Sequence, residues 1–176
     1  MNTLISTTES VFGHLLANQP IPNTDKAVKK LLKEHGVLVE FMFLNGLKFI
    51  RNPQKLLSVD YVILDIYILI GSDDSEALNK ILQDYYEYEP QPDDESADEL
   101  SFDKAKGRLI PVAGYQLYIE LVMALGFPKE HILFCSNHAE EQKDIQAVFK
   151  QAKIELPLLL SKDDKAEVQA WVKERR

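Results

Sequence analysis

In the run Tyr61-Val62-Ile63-Leu64-Asp65-Ile66-Tyr67 a carboxylate follows four apolar residues. The apolar part reads as a buried strand, which puts Asp65 at its C-terminal end. In open α/β sheets that edge is where ligands bind, in the crevice where strand order reverses. An aspartate there suits two kinds of chemistry. It can coordinate a hard cation through oxygen, or it can attack phosphorus and form an aspartyl phosphate. A small α/β hydrolase or phosphatase with Asp65 as nucleophile would also need a general acid or base, and Tyr67 is a poor acid at neutral pH. The purely structural alternative is an aspartate that caps the next segment. Cys135 lies in another apolar run and is expected to be an inert small hydrophobe. His14, His35, His131 and His138 lack the spacing of metal ligands, although His138 could border a site or sit in a surface turn.

The elements that must position Asp65 follow from hydrophobic patterning. Val37–Leu44, Tyr61–Leu64, Ile132–Cys135 and Leu156–Leu160 are near-continuous apolar runs, as strands buried on both faces require, and Thr3–Ser6 is a weaker first strand. Helical spacing marks Asp25–His35, Leu47–Leu57 (interrupted by Pro53), Tyr115–Leu125, Glu140–Ala152 and Asp163–Glu174. Ser10–Asn18 is a further helix candidate, closed off by Pro20 and Pro22. Strands alternating with helices predict an α/β protein with a parallel sheet covered on both faces. The expected architecture is a flavodoxin-like three-layer sandwich with five parallel strands in the order 2-1-3-4-5.

The chain has 176 residues, 45% of them hydrophobic, and a net charge of −8. That length suits a single domain over 1–176. The acidic total argues against a nucleic-acid partner, because duplex binding needs a basic surface. One cysteine excludes a disulfide framework. The N-terminus has no secretory pattern, and Asp65 interrupts the longest apolar stretch. A cytoplasmic, non-membrane protein is therefore expected. Residues 71–103 carry 12 acids and one base, Lys80, so this segment holds −11 and the remainder +3. The block 71–109 reads as an acidic insertion. It is expected to hold a helix over Asp73–Tyr88, then a mobile loop over Glu87–Glu99 that cannot bury enough apolar surface to offset its ordering entropy. Tyr85, Tyr86 and Tyr88 would pin it to the domain, and an acidic docking element or lid is its functional alternative.

The ordered set of motifs resembles a response-regulator receiver domain. The resemblance runs through Lys33-Glu34-His35-Gly36, Asn45-Gly46, Val59 to Ile66, Pro111-Val112-Ala113-Gly114, Ile132 to Ser136, and Leu158-Leu159-Leu160-Ser161-Lys162. It covers roughly residues 25–70 and 110–175. It implies that Asp65 is the phosphoacceptor. Ser136 would be the hydroxyl that binds one phosphoryl oxygen, and Lys162 the cation that binds another. It also implies Mg²⁺ held by Asp65 and an acidic pair at the end of the first strand.

The chain departs from the receiver pattern at several positions. In the matching stretch Thr3-Leu4-Ile5-Ser6-Thr7-Thr8-Glu9 two hydroxyl residues occupy the positions of that acidic pair and Glu9 is the only acid near, so Asp65 with Glu9 is a weak metal site. Asp73 or Asp74 could fold back as a substitute ligand. Asp163 follows the lysine where proline is usual, and Leu159 stands at the aromatic switch position. The resemblance therefore implies a degenerate, or pseudo-, receiver acting in two-component signalling through protein–protein contacts. Its partner would be a histidine kinase, a phosphotransfer protein, an output protein or a second copy in a homodimer. It would dock through the face of the last two helices and fifth strand, or through the acidic insertion, and no output domain is expected after the last helix. The alternative is a functional phosphoacceptor of a phosphorelay. Enzymatic turnover beyond self-phosphorylation on Asp65 is not expected.

Overall fold

The computed structural model describes residues 3–6, 37–40, 42–71, 76–138 and 143–174. The helix candidates Ser10–Asn18 and Asp25–His35, and the candidate ligands Glu9, Asp73 and Asp74, lie outside the described residues. The strands are β1 (Thr3–Ser6), β2 (Val37–Val39), β3 (Tyr61–Leu64), β4 (Ile132–Cys135) and β5 (Leu158–Leu160). They pair in parallel in the order β2-β1-β3-β4-β5. The register sets Ser6 beside Leu64, Leu64 beside Phe134, and Cys135 beside Leu160, so the C-terminal ends of β3, β4 and β5 lie together. The chain is thus of mixed α/β type. Among the described residues no helix is long and apolar enough to cross a membrane.

The middle of the sheet is buried on both faces. Val62, Leu64, Ile132 and Phe134 belong to one large apolar cluster. Ile63, Leu133 and Cys135, which alternate with them, are equally buried. Successive side chains of a strand point to opposite faces, so beyond the partly buried Tyr61 neither face of β3 or β4 meets water.

The run Val37–Leu44 is not one strand. β2 stops at Val39, and α1 (Phe43–Ile50) begins within the run. Phe43, Leu44, Leu47 and Ile50 are all buried. Their 3.6-residue spacing overrides the extended preference of the short apolar stretch. The N–H groups of Phe43 and Leu44, orphaned by position in the first turn, donate to the carbonyls of Leu69 and Ile70. The expected helix Leu47–Leu57 is broken. Pro53 opens α2 (Pro53–Leu56), where its missing N–H costs nothing, and Asn52 caps the turn by accepting from Lys55 N at 3.1 Å.

The acidic block folds as a helical pair, α3 (Glu76–Tyr85) and α4 (Glu95–Leu109). Between these two helices residues 86–94 are irregular, so the expectation of a loop through Glu99 is corrected. Asp94 caps α4 through Ala97 N at 3.0 Å. Glu95 and Asp98 sit in the first turn, and Lys106 and Arg108 in the last, which complements the helix dipole. Asp98 also accepts from the Tyr88 hydroxyl (3.0 Å) and from Gln91 N (2.8 Å). Leu78, Ile81, Leu82, Tyr88, Ala105 and Leu109 join the same core cluster as β3 and β4. The block leaves and returns at one place, since Ile68 N donates to Ile110 O and Gly114 N donates to Ile66 O.

A 3₁₀ turn (Ile110–Val112) leads into α5 (Ala113–Ile119), which continues as a π turn over Glu120–Ala124. A short 3₁₀ turn (Lys129–His131) precedes β4. α6 (Lys143–Gln151) and α7 (Lys165–Lys173) flank β5.

Candidate functional site

Three loops meet at the C-terminal edge of the sheet. Asp65 directly follows β3, Ser136 directly follows β4, and Lys162 lies two residues beyond β5. The parallel register brings them into contact. Ser136 Oγ donates to Asp65 Oδ1 at 2.8 Å, and Lys162 Nζ forms an ion pair with Asp65 Oδ2. All three are buried, at 1%, 2% and 8% exposure respectively. A buried carboxylate is tolerated because each oxygen has a donor and the charge has a counter-ion.

The surroundings hold this arrangement in place. Ser136 Oγ accepts from His138 N at 3.2 Å while donating to Asp65. The Ser136 N–H donates to Leu160 O at 3.0 Å. Asn137 Oδ1 accepts from Ser161 Oγ at 3.0 Å and from Lys162 N at 2.9 Å, and Ser161 Oγ accepts from Asp163 N at 3.1 Å. The Tyr67 and His138 rings pack at 5.3 Å, one from the loop after β3 and one from the loop after β4. Beneath the site, Gly114 presses its backbone onto Asp65. A Cβ at Gly114 would stand 1.8 Å from the Asp65 carbonyl oxygen. Cys135, adjoining Ser136, is buried, and desolvation pushes its thiol up to about 12, with the Lys162 charge lowering and the Asp65 charge raising it. It is therefore a neutral thiol at physiological pH and an unreactive one.

The sequence-predicted residues Asp65, Ser136 and Lys162 are thus brought together, and Glu9 lies outside the described residues. The described donors do not suit the Mg²⁺ that the resemblance implies. Both Asp65 oxygens are engaged, and the adjacent ammonium repels a dication. Among the described residues no group of three or more His, Cys, Asp or Glu is arranged to hold a metal ion. Two participants were not legible beforehand. Asn137 is an ordinary polar turn residue in sequence, with no spacing to mark it. His138 gave two readings, and its stacking on Tyr67 is the one that adjoins the site.

Chemically, the site is a carboxylate held between a hydroxyl and an ammonium. A phosphoryl group on Asp65 would bring anionic oxygens to the same two donors. Each Asp65 oxygen keeps a second lone pair beside its donor, but at 1% exposure neither faces solvent, so a phosphoryl donor must displace what covers the carboxylate. No family model, no curated protein and no solved structure matches the chain.

Proposed function

We propose that the chain is a receiver-like signalling module with a flavodoxin-like sandwich, acting through protein–protein contacts, in which phosphorylation of Asp65 is impaired or absent. The observation that carries this reading is the closed triad. The three residue types at the ends of three adjacent strands fit a phosphate-responsive site, yet the carboxylate is 1% exposed and both oxygens are occupied. Phosphoryl transfer needs an Asp65 oxygen in line with phosphorus as the donor's P–O bond breaks, which requires near-attack geometry. Here the cover over Asp65, 1% exposed, would have to open first. A module of this kind works by presenting a surface. Val148 on α6 and Leu158 on β5, consecutive elements in the chain, are large apolar side chains left exposed, which supports a role in partner contact.

The test is intact mass after incubation with Mg²⁺ and acetyl phosphate, beside Asp65→Asn and a competent receiver. The expected outcome is a stoichiometric phosphoryl adduct on the control receiver and little or none on this chain. A stoichiometric adduct lost in Asp65→Asn would establish the alternative, a working phosphoacceptor.

A further inference from the structure

We propose that Asn137 is the positioning residue of the Asp65 site: its side-chain oxygen ties the loop after β5 to the loop after β4 and thereby holds the Lys162 ammonium against the buried carboxylate. The inference deepens the receiver-like reading and takes its functional meaning from it.

The geometry is specific. Lys162 N–H is a backbone donor and can only donate, so the Asn137 atom 2.9 Å away must be the amide oxygen and not the amide nitrogen. That same oxygen accepts from Ser161 Oγ at 3.0 Å, and the Ser161 hydroxyl in turn accepts from Asp163 N at 3.1 Å. One oxygen therefore organises three consecutive residues of the β5 loop, with Lys162 at the centre. Asn137 is itself anchored next to Ser136, whose hydroxyl binds Asp65 Oδ1. Ser136 and Lys162, the two donors to one carboxylate, are thus joined behind it through Asn137. A lysine has a long, flexible stem with much rotamer entropy. Fixing its backbone N–H leaves the χ angles free but sets where the stem starts, so that its extended chain ends at Asp65 Oδ2. Asn137 touches no reacting atom and is exposed at the surface, so its effect runs through Lys162.

The experiment measures acetylation of individual lysines of the 176-residue chain by acetic anhydride, read by mass spectrometry. Lys162, buried and ion-paired, is expected to be protected in the wild type. In Asn137→Ala its modification rate should rise about tenfold, as the loss of one or two ordinary hydrogen bonds would produce. The rate at exposed Lys104 and the circular dichroism should not change. Asn137→Asp keeps an accepting oxygen in the same place, and Lys162 should stay within about twofold of wild type. Ser161→Ala, which removes one of the two bonds, should give a smaller rise than Asn137→Ala. An unchanged Lys162 rate in Asn137→Ala would overturn the proposal, as would an Asn137→Asp variant as reactive as Asn137→Ala. No phosphodonor or partner enters this assay, so its failure leaves the receiver-like reading standing, and a phosphoryl adduct in the earlier test leaves Asn137 in its role.

Discussion

At the scale of the residue, the energetics of Asp65 are those of a buried carboxylate bonded by Ser136 and paired with Lys162. Removing an ammonium from a buried pair costs more than the pair contributes, because the remaining carboxylate is left uncompensated. Lys162→Ala is therefore expected to destabilise the protein by about 3–5 kcal/mol in urea unfolding. Asp65→Asn in the same background should restore part of that loss, since the orphan charge is gone. The two changes are then non-additive by about 1–3 kcal/mol. Additive effects would mean that the pair is not formed in solution. Ser136 differs in kind. Its hydroxyl is a neutral donor whose backbone is held by Leu160, so its loss should be milder than that of Lys162.

At the scale of the element, the site depends on how closely α5 can approach the end of β3. Gly114 stands in the first turn of α5 with its N–H donating to Ile66 O at 3.0 Å. A methyl group there would overlap the Asp65 carbonyl, which is backbone and cannot rotate away. Gly114→Ala is expected to cost about 3 kcal/mol or more, beyond ordinary overpacking, because the strand end or the helix must shift. Its Ser136–Asp65 hydrogen bond should weaken with it, seen as faster amide exchange at 136–138. Wild-type stability in that variant would mean that α5 sits farther from β3. The acidic helix pair shows a related point at this scale. Acids in the first turn of α4, together with the Asp98 contacts to Tyr88 and Gln91, stabilise a segment whose composition alone suggested a loop.

At the scale of the whole molecule, the block 71–109 contributes side chains to the central core. Leu82 and Leu109 are fully buried, within the cluster that covers one face of the sheet. The ends of the block meet at Ile66, Ile68, Ile110 and Gly114, so it is tied to the strand that carries Asp65. Leu82→Ala should destabilise the entire protein by about 2–5 kcal/mol, in a single transition followed equally by fluorescence and far-UV circular dichroism. Separate transitions would mean that the helical pair folds independently of the sheet. The block is also bonded to α5, because the Tyr86 hydroxyl donates to Gln116 Oε1 at 3.2 Å.

Patterning is local information, and it accounts for what could be read without coordinates. The α/β class, the limits of β3 and β4, and the position of Asp65 at a strand end follow from apolar runs and their flanks. Where two periodicities overlap, as in Val37–Leu44, short-range pattern could not decide between strand and helix, and burial of Phe43 and Leu44 decided it. Capping and dipole effects in α4 were outweighed in the sequence reading by composition. The contacts of the site belong to the tertiary structure alone. Ser136 lies 71 residues from Asp65 and Lys162 lies 97 away. Their meeting depends on which strands are neighbours and in what register, which side-chain types do not encode locally. The exclusion of water that turns these three groups into a closed ion pair, and the oxygen of Asn137 that joins two of their loops, arise only when the strand ends are assembled.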